Sequence, residues 1–237
     1  MRDNYRIAEI NIEIVSLYDR VHALCRDYQT DGAPELAVTV TEADIARERE
    51  TADGPYPDDY LETLAVYRQI AEAMPARDTL LLHGSAVAAD GVGYLFTAPS
   101  GTGKSTHARL WRELLGERAV MINDDKPLLR IGPEEITVFG TPWNGKHHLG
   151  ENMAAPLRAV CFLERAGENA IRRISPAEAY PRLLGQTYRP QKAAAMKKTL
   201  ELLDDLCRRV SFYRLGCNME LSAARLSYET MSEERKT

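Results

Sequence analysis

The sequence predicts an α/β fold, with a mixed sheet, flanking helices and a small N-terminal β-containing subdomain. Apolar segments that alternate as strands do are interleaved along the 237-residue chain with amphipathic segments of helical spacing. A glycine-rich turn separates a predicted strand from a predicted helix within residues 93–115, and the next apolar segment ends in two adjacent aspartates. These features predict a ligand site at the carboxyl ends of the strands, where open α/β sheets bind their ligands.

The composition limits the partners of the chain. A formal net charge of −5 argues against a nucleic-acid partner, because binding to a phosphate backbone needs a basic surface. No apolar segment approaches the roughly 20 residues that span a bilayer, and the first residues are too polar for a signal peptide. The four cysteines are scattered, without a C-x-x-C pair. We therefore expect a cytoplasmic protein with reduced thiols and no membrane partner.

The first part of the chain predicts a small α+β subdomain. Isoleucines alternate with polar residues at 10–14, apolar residues alternate again at 36–40, and a short amphipathic segment lies between them. The chain then turns polar as far as the turn-rich segment 53–57. We place the domain boundary there, with residues 1–56 as the N-terminal subdomain and residues 57–237 as the larger domain.

The larger domain opens with a predicted helix and a predicted β-hairpin. Asp59 and Glu62 have the spacing of a capping box, and an apolar i, i+3, i+4 stripe follows them. Apolar strands at 80–88 and 93–97 flank Asp90-Gly91, a dipeptide typical of tight hairpin turns. Further predicted elements are a helix at 105–115, strands at 119–122, 136–139 and 159–163, and helices at 176–184, 192–210 and near 221.

The glycine-rich segment 98–106, Ala-Pro-Ser-Gly-Thr-Gly-Lys-Ser-Thr, has the composition and position of a phosphate-binding P-loop. Its glycines permit positive φ, so backbone N–H groups can approach phosphate oxygens closely. The following helix aims its positive dipole end at the same place. Ala98 replaces the usual first glycine, but the glycines nearest the phosphates are present. The predicted nucleotide-binding residues are Ser100, Gly101, Thr102, Gly103, Lys104, Ser105 and Thr106.

Asp124 and Asp125 follow the apolar segment 119–122, about 20 residues beyond Lys104. A strand that follows the P-loop helix and ends in carboxylates is placed to hold Mg²⁺. Adjacent carboxylates on an extended chain point to opposite sides, so we expect them to differ in role. One would bind the metal and the other would accept the proton of an attacking hydroxyl group, and the sequence leaves open which does which.

Three motifs in this order, His83-Gly84-Ser85, the 100–106 loop and Asn123-Asp124-Asp125, resemble the HPr kinase/phosphorylase superfamily and its relatives, the ATP-dependent phosphoenolpyruvate carboxykinases. The resemblance covers about residues 80 to 145. It implies a P-loop kinase fold that uses ATP and Mg²⁺, and it makes a homo-oligomer an expectation. The catalytic residues that it implies are His83, Lys104, Asp124 and Asp125, and the implied metal ligands are Ser105, Asp124 and Asp125.

Two departures from these families narrow the expected chemistry. Thr106 stands directly after the P-loop serine, where HPr kinases carry glutamate, and their glycine-rich C-terminal signature is missing from the sequence. We therefore do not expect phosphorolysis, or HPr itself as the substrate. The carboxykinases are much longer chains with a large N-terminal domain, so decarboxylating chemistry is the least favoured hypothesis.

The loop 140–148 combines an aromatic ring, an amide, a cation and two histidines between turn residues. Such a set would form a pocket for the phosphate acceptor, in which a cation neutralises the transferred group. The alternative is a solvated turn whose tryptophan packs on the domain. The candidate substrate residues are Trp143, Asn144, Lys146, His147 and, in a second polar loop, Arg189, for which an exposed loop position is the alternative.

These features predict an ATP- and Mg²⁺-dependent kinase that transfers the γ-phosphate to a serine- or threonine-type hydroxyl of a protein, a peptide or a small molecule. A second hypothesis is a nucleotide-binding regulatory or assembly module with weak ATPase activity. A base beside the γ-phosphate favours the kinase, whereas activation by a partner protein would favour the module. No base-recognition motif distinguishes ATP from GTP in this sequence.

Overall fold

The computed structural model describes residues 1–145 and 147–233 of the chain. The chain divides into two compact units, Met1–Met74 and Pro75–Thr237. The sequence predicts a boundary after residue 56, whereas the helix Asp58–Ala73 belongs to the first unit. The reason is packing, because this helix contacts the other two helices and the third strand of that unit.

The first unit is a three-stranded sheet with three helices. Strands β1 and β2 form an antiparallel hairpin, and β3 lies parallel to β2. The isoleucine alternation is confirmed, since the isoleucines of β2 are all buried. The elements are β1 (Arg2–Ile7), β2 (Ile10–Val15), α1 (Arg20–Leu24), β3 (Leu36–Thr39), α2 (Glu42–Thr51) and α3 (Asp58–Ala73).

Two details of this unit differ from the sequence-based expectations. The polar stretch after β3 is the helix α2, which begins with a capping box between Thr41 and Asp44. The capping box expected at Asp59 and Glu62 is wrong, because α3 begins at Asp58 without a side-chain cap. Glu62 is instead fully buried, and its carboxylate accepts hydrogen bonds from the backbone N–H groups at positions 17 and 18.

The second unit is a nine-stranded mixed sheet with helices on both faces, which confirms the predicted mixed α/β architecture. The strand order is β4-β8-β9-β10-β6-β5-β7, with β12 paired to β10 and β11 paired to β12. Its strands are β4 (Thr79–Leu81), β5 (Ser85–Ala89), β6 (Val92–Thr97), β7 (Ala119–Asn123), β8 (Leu128–Ile131), β9 (Ile136–Phe139), β10 (Ala154–Arg165), β11 (Ala170–Ile174) and β12 (Ser211–Cys217). Its helices are α4 (Lys104–Leu115), α5 (Pro176–Gln186), α6 (Ala193–Arg209) and α7 (Leu221–Ser232).

Strand direction defines the edge of the sheet on which the candidate site lies. Strands β6, β10 and β12 are parallel, and β5 runs antiparallel to both of its neighbours, β6 and β7. The carboxyl ends of β6, β7, β10 and β12 and the amino end of β5 therefore share one edge. The predicted hairpin at Asp90-Gly91 is confirmed as the connection from β5 to β6.

Two apolar cores hold the helices against the sheet. One core contains leucines of α5 and α6 and residues from strands including β8, β9 and β10. The other contains Trp111 of α4 and Met231 of α7, which pack against residues of β5, β6 and β12. The sheet is thus covered on both faces, and the edge with the strand ends carries the polar residues described below. In the described part of the chain, no helix is long and apolar enough to cross a membrane.

Candidate active site

The glycine-rich segment forms a tight, open loop between β6 and α4. Gly101 and Gly103 have φ angles of 77° and 118°, which L side chains rarely adopt. Open space surrounds the position that a Cβ atom would take at either glycine, with no heavy atom within 4 Å. Thr102 closes a turn at the tip, where its backbone N–H and its hydroxyl both donate to the carbonyl oxygen of Pro99. Conformation, rather than crowding, therefore requires glycine at these two positions.

Helix α4 begins directly after this loop, so the unpaired N–H groups of its first turn face the loop. Gly103 is the N-cap residue, and as a glycine it places no Cβ atom at the helix end. The hydroxyl-bearing residues around the loop are accessible, with Ser100 and Ser105 exposed and Thr102 and Thr106 half-buried.

Lys104 lies within the loop rather than on the surface. Its side chain is buried, and Nζ donates hydrogen bonds to the carbonyl oxygens of Ala98 at 3.0 Å and Pro99 at 3.5 Å. Burial lowers the pKa of Lys104, and the charges of Asp125 and Asp124 oppose that shift. The ammonium group is therefore within the electrostatic field of both aspartates.

The two adjacent aspartates have different environments. Asp124 is 7% exposed, and its Oδ1 accepts a 2.6 Å hydrogen bond from the buried hydroxyl of Ser85 at the start of β5. Asp125 has a side chain that is 34% exposed. Asn123 fixes the turn in which the two aspartates lie. Its Oδ1 accepts hydrogen bonds from the backbone N–H groups of Asp125 and Lys126 at 2.9 and 2.7 Å.

His83 lies next to the more exposed aspartate. Its Nε2 is 3.6 Å from Oδ1 of Asp125, and its Nδ1 is 3.1 Å from Oε1 of Gln186. The Lys126 ammonium stands 3.8 Å from the other oxygen of the same carboxylate. Burial, reinforced by the charge of Lys104, lowers the pKa of His83, and Asp125 opposes the shift. The lowered pKa thus favours the neutral form of the imidazole at neutral pH.

The loop that follows β9 lies against the Asp124 backbone. At Gly145, which has a φ of 78°, a Cβ atom would stand 3.1 Å from the carbonyl oxygen of Asp124. The Asn123 amide donates to the carbonyl oxygens of Thr141 at 3.1 Å and Trp143 at 3.4 Å. The Trp143 side chain is buried with 5% exposure, so its ring packs inside the domain as the alternative interpretation of this loop expected.

The other candidate substrate residues differ in exposure and in their contacts. Asn144 is half-buried, and its Oδ1 lies 3.1 Å from Nδ1 of His148. His147 is exposed, and Lys146 lies outside the described residues. Arg189 is exposed on the loop after α5. The preceding residue, Tyr188, donates a hydrogen bond from its backbone N–H to the carbonyl oxygen of Leu81 in β4.

The residues present fit a metal that arrives with phosphate groups. Within residues 1–145 and 147–233, no three acidic, histidine or cysteine side chains converge as a metal cluster. Mg²⁺ commonly takes one or two protein ligands and completes its shell with phosphate oxygens and water. Ser105, Asp124 and Asp125 are oxygen ligands of the kind that Mg²⁺ takes.

Sequence patterns did not identify every residue of this constellation as a site residue. Ser85 and Asn123 lie inside the predicted motifs. Their spacing in the sequence does not predict that Ser85 bonds to the Asp124 carboxylate, or that the Asn123 side chain bonds to the backbone of Asp125. Gln186 reaches His83 from the end of α5, and Arg165 reaches the carbonyl oxygen of Gly101 from the end of β10. Both contacts join residues distant in sequence, so only the fold reveals them.

Comparison with known proteins gives a matching family model and remote similarity to solved structures. The family model described as "ScmC: SynChlorMet cassette protein ScmC" matches residues 59–221. Among solved structures, the chain is similar to the Hpr(Ser) kinase/phosphatase from Coxiella burnetii, with 11% identity and a TM-score of 0.35 over 64% of this chain and 97% of that chain. A TM-score this low establishes neither a shared fold nor a shared activity. No curated protein matches the chain.

Proposed function

The chain belongs to the ScmC family, and we propose that it is an ATP- and Mg²⁺-dependent kinase that transfers the γ-phosphate to a serine- or threonine-type hydroxyl. One observation carries the proposal. A buried lysine in a glycine-rich turn lies at the same sheet edge as two carboxylates of unlike exposure and a histidine held largely neutral. Phosphoryl transfer needs such a combination of charge neutralisation, metal binding and proton acceptance.

The loop and helix α4 would bind the polyphosphate. The N–H groups in the first turn of α4, which begins directly after the loop, would donate to phosphate oxygens, and the helix dipole adds positive potential there. Lys104 now bonds two loop carbonyls, and phosphate oxygens are stronger partners for its ammonium group. When bound with the nucleotide, Mg²⁺ neutralises charge on the transferred phosphate.

We propose different tasks for the two aspartates because their environments differ. We assign Asp124 to metal binding, together with Ser105, because the Ser85 hydrogen bond fixes its carboxylate in a buried position. We assign Asp125 to proton acceptance, because its side chain is 34% exposed and a hydroxyl group from outside can therefore reach it. His83 and Lys126 flank the Asp125 carboxylate, at 3.6 and 3.8 Å from its two oxygens.

The acceptor is a hydroxyl group of a protein, a peptide or a small molecule, and it approaches on the Asp125 side of the site. The loop 140–145 reaches that side at Gly145, where a Cβ atom would stand 3.6 Å from the Cβ of Asp125. Asn144, His147 and Arg189 remain proposed acceptor contacts.

The test is transfer of labelled phosphate. The purified chain is incubated with Mg²⁺, γ-labelled ATP and a size-fractionated extract of the source organism, and labelled products are identified by mass spectrometry. We expect the wild type to label a discrete hydroxyl-bearing species and Lys104→Ala to label none. If the wild type binds ATP but releases only free phosphate, the alternative of a regulatory or assembly module with weak ATPase activity replaces the kinase.

A further inference from the structure

We infer that Arg165, which no motif assigns, is a nucleotide-binding residue that contacts the α- and β-phosphates. The inference rests on the proposed function, because it names a further residue of the same nucleotide site. Arg165 is the last residue of β10, the strand that lies parallel to β6, and β6 leads directly into the glycine-rich loop. Its guanidinium donates a hydrogen bond through Nη2 to the carbonyl oxygen of Gly101.

The bonding of Arg165 leaves most of its donors available to a ligand. The side chain is exposed, and within the described residues it forms no ion pair with a carboxylate. A guanidinium carries five N–H donors in a planar fork that matches phosphate oxygens. The carbonyl of Gly101 uses one of these donors, so the fork can exchange that partner for a phosphate group without breaking an internal salt bridge.

Arg165 and Lys104 both bond to the glycine-rich loop. Both cationic groups bond carbonyl oxygens of the same loop, at Ala98, Pro99 and Gly101. Neutral carbonyls are weaker partners for a cation than anionic oxygens. Two cations directed at one loop, in a chain with a net charge of −5, indicate that the loop binds an anion between them.

Sheet topology determines which part of the nucleotide Arg165 would contact. In the strand order β10-β6-β5-β7, the loop follows β6, the aspartates follow β7, and Arg165 ends β10. The aspartates and Arg165 therefore border the loop from opposite sides. With the γ-phosphate on the aspartate side, the remainder of the polyphosphate runs toward β10. Arg165 thus meets the phosphates that ADP and ATP have in common.

Isothermal titration calorimetry with MgADP and with an unreactive MgATP analogue tests this inference. We expect Arg165→Met to raise the Kd for both ligands by about tenfold, the loss of one charge-assisted contact. Arg165→Lys keeps the charge without the fork and should fall between the wild type and Arg165→Met. The matched control is Arg109→Met, which removes an exposed arginine of α4 that pairs with Glu113, and it should leave both Kd values unchanged.

The outcomes separate this inference from the proposed function. Unchanged Kd values for both Arg165 variants overturn it, and a loss confined to the ATP analogue overturns the assignment to the shared phosphates. If the wild type binds neither ligand, the proposed nucleotide site fails and the inference fails with it. Melting temperatures of the ligand-free variants check the fold, and Arg165→Lys decides the outcome if Arg165→Met is destabilised.

Discussion

The hydroxyl of Ser85 donates a 2.6 Å hydrogen bond to Oδ1 of Asp124, with both side chains buried where β5 begins and β7 ends. These strands pair with each other, so the bond orients the carboxylate relative to the sheet. A buried carboxylate oxygen that loses its donor is left unsatisfied, at a cost of about 1–3 kcal/mol. The positional precision of Asp124 therefore depends on Ser85.

We predict that Ser85→Ala lowers phosphoryl transfer by about tenfold and changes the Kd for MgADP by less than about threefold. Asp124→Asn keeps an acceptor for Ser85 and removes the charge, so its loss of transfer should be the larger. Steady-state transfer and calorimetry measure the two quantities. Ser222→Ala, at an exposed serine of α7, serves as the control. An equal loss of MgADP affinity and of transfer in Ser85→Ala would contradict a positioning role.

The glycines of the loop provide a second prediction, which separates backbone strain from steric contact. Gly103 has a φ of 118° and Gly167 has no positive φ, yet a Cβ atom at either position would meet nothing within 4 Å. Gly103→Ala should therefore lower the stability by about 1–2 kcal/mol and weaken nucleotide binding. Gly167→Ala should leave both properties unchanged. Chemical denaturation, monitored by tryptophan fluorescence, measures the stability of each variant, and titration with MgADP measures its affinity. Equal stability and equal affinity in the two variants would refute the role of the positive φ.

A third prediction concerns the charge that Lys104 exerts on His83. Lys104 lowers the pKa of His83 because its ammonium group repels the imidazolium form. Lys104→Met should raise the pKa of His83, as measured by NMR titration of the ring protons and assigned with His83→Gln. Lys197→Met, which removes an exposed lysine of α6, should not change it. An unshifted His83 resonance in Lys104→Met would mean that the two groups do not share a site.

A buried histidine makes the stability of the second unit depend on pH. His107 of α4 has Nε2 within 3.0 Å of the Ser227 hydroxyl, and its buried Nδ1 has no hydrogen-bond partner among the described residues. Burial lowers its pKa from 6.5 to about 4. Between these values the unfolded chain binds a proton that the folded chain does not, so stability is complete above pH 6.5 and falls as the pH decreases toward 4.

We expect this histidine to account for a loss of about 3 kcal/mol between pH 6.5 and 4. In His107→Leu that component of the pH dependence should disappear. Ser227 keeps two partners, since Trp111 donates to its hydroxyl and the carbonyl of Ala224 accepts from it. Urea denaturation followed by tryptophan fluorescence reports on this unit, because Trp111 and Trp143 both lie in it. If the free energy of unfolding falls equally steeply with decreasing pH in the wild type and in His107→Leu, His107 is not the cause.

Local chemistry predicted the glycine-rich loop, the β5–β6 hairpin and the helices α4 and α6, since each has a strong short-range pattern. Helix α2 was missed because charged residues obscure its single buried stripe, although its Thr41 and Asp44 capping box was visible in the sequence. Strands β8, β11 and β12 were missed because their burial depends on neighbouring strands. Glu62 was misassigned because its true partners lie more than forty positions earlier in the chain.

For the candidate site, the sequence motifs predicted which residues belong to the site but not the contacts between them. The order of His83, the loop and the aspartates indicated one site, whereas the different environments of Asp124 and Asp125 depend on the Ser85 contact. For Trp143 the sequence left two alternatives open, an acceptor pocket and a ring packed on the domain, and the fold buries the ring. Arg165 carried no local signal at all, since its partner Gly101 becomes a neighbour only when β10 pairs with β6.

The most direct test of the proposed kinase compares Asp125→Asn with Asp205→Asn, which changes a half-buried aspartate of α6 that pairs with Arg209. Both variants are titrated with MgADP and then assayed for transfer of label from γ-labelled ATP to the acceptor. We predict that Asp125→Asn binds MgADP normally and loses transfer by at least about a hundredfold, while Asp205→Asn retains both. Transfer by Asp125→Asn at the wild-type rate would contradict the assignment of Asp125 as the proton acceptor. Absence of a labelled acceptor with every protein, including the wild type, would contradict the kinase itself.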